Sequence, residues 1–172
     1  SIYHRVIGNL RTRSGQSGAL RGMIDRWIYQ LEEKVIELEG YEEDDPRLAE
    51  QVEAQFESGL SEVSQIHSAF SSALRGYYRA QLSDDYATAQ ALIGWLSGEQ
   101  QTSALVKRKV NIRGEIDNTV ALEFLRAVNL IARKAGLTGI VIAFDEVETI
   151  QRLRGPQREQ SLSTLRQFVD AA

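Results

Sequence analysis

The sequence predicts a mostly α-helical fold with one apolar β-strand near its C-terminal end, at about residues 139–145. Apolar side chains recur at steps of three or four residues through most of the chain, which is the helical spacing. Proline occurs only twice in 172 residues, and the polar stretches are rich in Glu, Gln, Arg and Ala, which also favours helix. Residues 140–144 differ because they form a continuous apolar run, which is typical of a buried parallel strand.

The periodic stretches and their capping signals place the helices along the chain. Asp45-Pro46 is an N-cap followed by proline at the first helical position. The long stretch that follows has only Gly59 and Gly76 as candidate interruptions, so we predict one helix from residue 48 to residue 77. The full set of predicted helices is 2–10, 20–38, 48–77, 84–96, 118–135 and 159–169.

The segment between the fourth and fifth helices is less regular. Ser83 is the predicted N-cap of the fourth helix, which ends before Gly98. The basic cluster Lys107-Arg108-Lys109 follows, and a short extended segment is predicted at about residues 110–112.

Several protein classes are excluded by composition. Cysteine is absent, so neither a disulfide framework nor thiol chemistry is expected. No apolar run approaches the roughly 18 residues that a membrane span needs, and the N-terminus has no signal-peptide pattern. We therefore expect a cytoplasmic protein with no membrane partner.

The net charge of −4 hides an uneven distribution. Residues 32–62 contain 12 acidic and 2 basic residues, so this block would repel nucleic acid. The basic residues Lys107, Arg108, Lys109 and Arg113 could contact nucleic-acid phosphates. Because no aromatic residue is interleaved with them, a solvated surface is the favoured interpretation.

The apolar run at 140–144 leads directly into Asp145-Glu146. Ligands bind at the carboxyl ends of strands in open α/β sheets. The pattern is that of a Walker B strand in a P-loop NTPase, in which the Asp helps to hold Mg²⁺ and the Glu orients the attacking water. We therefore predict Asp145 as a metal residue and Glu146 as the catalytic residue. The alternative is a non-catalytic helical protein-interaction module, in which the two acids cap the following loop.

The other half of an ATPase site is missing from the sequence. No stretch matches Gly-x-x-x-x-Gly-Lys-Ser/Thr, so we predict no nucleotide-binding residues in this chain. A single strand also cannot satisfy its own backbone groups. We therefore expect an internal fragment, with a helical region at 1–112, a helix-strand-helix Walker B region at 113–172, and the P-loop upstream of Ser1.

Short segments along nearly the whole chain resemble one known family. They are residues 9–13, 18–20, 27–28, 95–99, 113–117, 122–125, 139–148 and 161–170. Together they resemble the ATP-binding proteins of BREX, a bacterial phage-exclusion system, which are P-loop ATPases related to the AAA+ class.

The resemblance implies a helical segment of an AAA+-like α/β ATPase with a role in phage defence. It implies that Asp145 is the acid associated with Mg²⁺ and that Glu146 orients the water. ATP and Mg²⁺ are the cofactors it implies for the full-length parent, and none is expected on this fragment. DNA and other defence-system proteins are the implied partners. Because a strand with open edges pairs with another chain, we also expect a homo-oligomer.

Overall fold

The structure, a computed structural model, describes residues 2–12, 15, 18–41, 45–113, 116–145 and 147–170. The chain is mostly α-helical, as predicted. Among the described residues, the helices are α1 (Ile2–Gly8), α2 (Ala19–Glu39), α3 (Pro46–Ile66), α4 (Ser68–Leu82), α5 (Tyr86–Leu96), α6 (Ala104–Lys109), α7 (Ala121–Lys134), a 3₁₀ helix (Val147–Arg152) and α8 (Gly155–Asp170).

The chain divides into two compact units, residues 1–140 and residues 141–172. In the first unit, α2, α3, α4 and α5 each pack against the next helix in the sequence. Helix α7 then returns to contact α1, α2 and α3, while α6 packs on α5. The first unit is therefore a helical assembly that α7 closes. No described helix in either unit is long and apolar enough to cross a membrane.

An aromatic cluster around Phe124 holds the first unit together. Phe124 lies on α7 and is only 1% exposed. Its ring centroid lies 5.4 Å from that of Tyr3, 4.6 Å from His67, 5.2 Å from Phe70 and 5.7 Å from Trp95. Offset and edge-to-face pairs of this kind stabilise beyond the area that they bury. One side chain thus joins α1, α4, α5, α7 and the junction between α3 and α4.

The helix predicted at 48–77 is interrupted at His67, which separates α3 from α4. The backbone of His67 is extended, with φ −156° and ψ 116°, and its N–H donates to the carbonyl of Val63 at 2.9 Å. A continuous helix would carry its apolar face away from the rest of the unit, whereas the break turns α4 back along α3. No proline or glycine lies at this break. The His67 ring packs on Phe124 of α7, so the break coincides with a tertiary contact that local sequence does not reveal.

The two glycines that were candidate interruptions serve packing instead. A Cβ atom at Gly59 would overlap the Trp27 ring, and one at Gly76 would overlap the Val110 side chain. Both glycines therefore let a large side chain approach the helix backbone closely.

Ion pairs between α3 and α4 use part of the acidic block. Arg75 donates two hydrogen bonds to Glu57, at 2.6 and 2.7 Å. The hydrogen bonds from this guanidinium lower the pKa of Glu57. Glu62 accepts from Lys134 of α7 at 2.8 Å. Several acids of the block at 32–62 thus stabilise the helix packing, while residues 42–44 within it lie outside the described residues.

Helix α7 begins at Ala121 rather than at residue 118, and the starts of α5 and α8 also differ from the prediction. The N-cap of α5 is Asp85 rather than Ser83, because Asp85 Oδ1 accepts the backbone N–H of Thr88 at 3.1 Å. The Ser83 hydroxyl donates backwards instead, to the carbonyl of Arg79 at 2.9 Å. Helix α8 already begins at Gly155, ahead of Pro156, since proline is well tolerated in a first helical turn.

The basic cluster at 107–109 lies in a helix, and the short extended segment predicted at 110–112 does not form. Ser103 caps α6 by accepting the N–H of Val106 at 3.3 Å. The N–H of Ile112 donates to the carbonyl of Lys107 at 2.9 Å, and Asn111 adopts φ +54°. These bonds satisfy the end of the helix locally, so an extended segment is not needed there.

The strand predicted at about 139–145 is likewise not formed. The described part of the chain contains no β-strand, and residues 139–145 have no regular secondary structure. A strand needs a neighbouring strand to accept and donate its backbone hydrogen bonds, and the described residues offer none. The apolar run is therefore open, with Val141 96% exposed.

Replacing the central aromatic ring should unfold the first unit more easily. We expect Phe124→Ala to lower the free energy of unfolding by roughly 3–5 kcal/mol, because it leaves a cavity where several elements meet. The matched control is Phe144→Ala, since Phe144 is 43% exposed and belongs to the second unit. Urea denaturation followed by circular dichroism measures both. Equal losses for the two variants would contradict the central role of Phe124.

The carboxyl group of Asp85 should titrate at unusually low pH. A hydrogen bond from Lys109, and further ones from Thr88, lower the pKa of Asp85 to about 2. Its stabilising contribution is therefore present above the unfolded-state value of about 3.9 and is lost as the pH falls towards 2. Carboxyl-carbon NMR should show the pKa rising in Lys109→Gln and unchanged in Lys107→Gln. An ordinary pKa in the wild type would contradict the ion pair.

Candidate functional site

The candidate site follows the C-terminal end of α7. Gly136 adopts φ +78° and its N–H donates to the carbonyl of Arg133 at 3.0 Å. The N–H of Leu137 donates to the carbonyl of Ala132 at 2.9 Å. This pair of bonds ends the helix and turns the chain towards the apolar run at 140–144.

Asn129 of α7 fixes the start of that run. Its side-chain Oδ1 accepts the backbone N–H of Ile140 at 3.1 Å. Gly139, immediately before, has φ +150°, and a Cβ atom there would lie 3.3 Å from the same oxygen. A side chain at position 139 would therefore be strained in its backbone and tight against Asn129.

The remainder of the run belongs to the second unit, which has no core in its described part. None of residues 141–145 or 147–167 is buried. Val141 is almost fully exposed, and Phe144, Val147, Leu153 and Leu162 are each at least 40% exposed. Apolar side chains concentrated in this way on a solvated segment indicate a surface that another element covers.

The two predicted site residues lie at the end of the run. Asp145 has an exposed side chain and is followed closely by the 3₁₀ helix Val147–Arg152. Glu146, the predicted catalytic residue, lies outside the residues that the structure describes. The geometry of the Asp145-Glu146 pair is thus not part of the description, and both role assignments stay predictions.

The chemistry of Asp145 suits one part of a magnesium site. Mg²⁺ prefers oxygen ligands, keeps several waters and is commonly held by one or two carboxylates. Within the described residues, no group of three or more His, Cys, Asp or Glu side chains is placed to hold a metal ion. Asp145 could therefore contribute a ligand or a hydrogen bond to a metal's water shell, and the remaining ligands would come from water, substrate phosphates or other chain segments.

Sequence reasoning located the acids but missed the group that positions the segment. Asn129 is a half-buried polar residue on the strongly amphipathic helix α7. Its position in the sequence carries no motif, and the bond to Ile140 spans eleven residues and a helix end. The one available signal was that Asn129 is a polar residue near the apolar face of α7, because a partly buried polar side chain needs a hydrogen-bond partner.

Comparison with known proteins supplies the identity of the chain. A protein-family model described as BREX system ATP-binding protein BrxC/D matches residues 1–172. The chain matched none of the curated proteins and none of the solved structures with which it was compared. Because the family match extends over all 172 residues, the chain belongs to the family of BREX system ATP-binding proteins BrxC/D.

Proposed function

We propose that this chain is part of an AAA+-like ATPase in bacterial phage exclusion and that residues 140–146 form its Walker B segment. The observation that carries the proposal is an exposed apolar run that leads into Asp145, in a chain of an ATP-binding family. In the parent protein the run pairs with neighbouring strands of a sheet, and the two acids emerge at its carboxyl edge.

Exposure of the run supports this role on energetic grounds. Burying one large aliphatic side chain contributes on the order of 1.5–3 kcal/mol, so Val141 and its neighbours gain substantially from insertion between strands. A sheet also supplies the backbone partners that the segment lacks among the described residues. An apolar surface loop with no such destination would be a liability for aggregation.

The anchor at Asn129 supports the same role by fixing where the run begins. Asn129 holds the N–H of Ile140, and the following residues up to Asp145 have no regular secondary structure. An extended strand advances about 3.3 Å per residue, so Asp145 would lie roughly 17 Å beyond Ile140. The bond from Asn129 thus marks where the proposed strand begins.

The two acids have different chemical tasks in this proposal. Asp145 accepts hydrogen bonds from the water shell of Mg²⁺, and Glu146 orients the water that attacks the terminal phosphate. The metal, when bound, neutralises charge on the nucleotide's phosphates. The phosphates themselves are held by a P-loop elsewhere in the parent, since this chain has no such sequence.

The proposed partners follow from the same assignment. The parent acts on DNA together with other defence-system proteins and assembles with further copies of itself. The exposed apolar side chain of Val141 supports assembly, because an apolar run in extended form readily pairs with another strand.

Substitutions at Asp145 and Glu146 in the full-length parent should separate binding from hydrolysis. Asp145→Ala should weaken Mg²⁺-dependent nucleotide binding by roughly 10–100-fold, because a partner of the metal's water shell is lost. Glu146→Gln should preserve binding and slow hydrolysis by roughly 10²–10⁴-fold. Calorimetry and a phosphate-release assay measure the two effects, and Glu148→Gln, the next acid along, is the matched control. Wild-type hydrolysis by Glu146→Gln would instead favour the non-catalytic interaction module.

The 172-residue chain by itself should not bind ATP measurably. The backbone cradle and the lysine that grip the β- and γ-phosphates are absent from its sequence. Two carboxylates without them repel the nucleotide. Isothermal calorimetry should therefore give no binding heat at micromolar concentrations, whereas the full-length parent gives a saturable signal. Micromolar affinity of the isolated chain would reveal a phosphate site of another kind.

A further inference from the structure

The segment around α6 carries positive charges and no negative charge, as residues 1–24 also do. From Gln100 to Gly114 there is no acidic residue, whereas the same stretch contains Lys107, Arg108, Lys109 and Arg113. The chain as a whole carries a net charge of −4. A local excess of four positive charges attracts polyanions, even though the protein as a whole is acidic.

The structure fastens this segment firmly to the helical unit. Val110 directly follows α6, and its side chain lies against Gly76 of α4. The Leu92 side chain of α5 lies against the same glycine. Ile112 is buried, with only 3% of its surface exposed. The cations therefore project from an anchored element, which reduces the entropy lost when a ligand binds.

One cation at the end of α6 is paired with an acid, and three near it are not. Lys109 donates to Asp85 at 2.9 Å. Lys107, Arg108 and Arg113 make no ion pair with any residue that the structure describes. Interaction with the α6 dipole explains cations in the last helical turn. It does not explain Arg113, which lies beyond the helix end.

The last turn of α7 provides an internal comparison. It also carries two consecutive cations, Arg133 and Lys134. Lys134, however, is bonded to Glu62 and lies 5.6 Å from the centre of the Trp27 ring. Its positive charge is satisfied within the fold, whereas Lys107 is half-buried, Arg108 is exposed, and neither makes an ion pair with a described residue.

A cleft of about 410 Å³ adjoins the end of α6 and extends along α4. Its polar lining includes Arg75, Arg79, Lys109, Ser72, Ser83 and Asn111, and no carboxylate lines it. The pair between Arg79 and Glu53 is long, at 3.8 Å, so this guanidinium is weakly engaged. The cleft thus places further hydrogen-bond donors at the end of α6, where Lys109 and Asn111 belong to its lining.

We propose that the end of α6, together with the cleft along α4, binds the sugar-phosphate backbone of DNA. Lysine, arginine and hydroxyl side chains are the groups that contact phosphodiesters without reading sequence. Glu57 and Glu53 of the acidic block pair with Arg75 and Arg79 of the cleft. The charges of Lys107, Arg108 and Arg113 therefore supply the main attraction for phosphates. This inference deepens the proposed action on DNA, and it does not depend on the Walker B assignment.

The test measures DNA affinity of the 172-residue chain by fluorescence anisotropy over a range of salt concentrations. The variant Lys107→Gln/Arg108→Gln/Arg113→Gln removes the three unpaired charges, and glutamine preserves helix propensity. At about 50 mM salt we expect binding weakened on the order of a hundredfold, and the slope of log K against log salt reduced by about 3. A labelled duplex and its single strand, compared directly, identify which form of DNA the surface prefers.

Matched variants separate a surface effect from a change in total charge. Lys34→Gln/Arg126→Gln/Arg133→Gln removes three exposed cations from other positions and should bind DNA nearly as the wild type does. The double variant Lys107→Arg/Arg108→Lys keeps both positive charges and should bind DNA with the affinity of the wild type. Asp145→Ala should also bind DNA normally. The DNA-binding proposal and the proposed metal role of Asp145 can therefore be refuted independently of each other.

Three results would overturn the proposal. They are no DNA binding by the wild type at low salt, unchanged binding by the α6 variant, and equal weakening by the control variant. Should the triple α6 variant melt at a lower temperature, Arg113→Gln alone decides, because Arg113 lies outside every described helix. Its expected salt slope is smaller than that of the wild type by about 1, and an unchanged slope overturns the proposal as well.

Discussion

The helical unit depends on the packing of other aromatic rings around Phe124. The chain has no cysteine, so no covalent crosslink holds α1, α4, α5 and α7 together. The rings of Tyr3, Phe70 and Trp95 approach Phe124 from three different helices. Because Asn129 lies on the same helix as Phe124, this packing also fixes the point at which residue 140 leaves the unit. The start of the apolar run thus depends on a hydrophobic contact elsewhere on α7.

Sequence reasoning predicted the elements whose signals are local and missed those that depend on distant contacts. The start of α3 was predictable because the Asp45 side chain and Pro46 act within one helical turn. The break at His67 was not, since it lacks proline and glycine and coincides with packing on α7. The roles of Gly59 and Gly76 were hidden for the same reason, because their partners lie on other elements.

The candidate site shows the same division between local and distant information. An apolar run followed by Asp145 is a local pattern, and the structure describes that run without regular secondary structure and with Val141 almost fully exposed. Strand formation could not be judged from the run alone, because pairing requires another segment. Charge behaves similarly: Glu57 and Glu62 belong to an acidic block in the sequence, yet in the fold they neutralise Arg75 and Lys134. The unpaired cations near α6 become apparent only after these partners are known.

The return of α7 to α1 has a consequence for biosynthesis. Tyr3 is fully buried against Phe124, and the backbone N–H of Ile2 donates to Asn118, 116 residues further along the chain. Helices α2 to α5 pack on their immediate neighbours and can form early, since local contacts require little loop closure. Helix α1 must therefore wait until α7, more than a hundred residues further along the chain, has been synthesised before it finds its native contacts. Until then, its apolar face is available to chaperones.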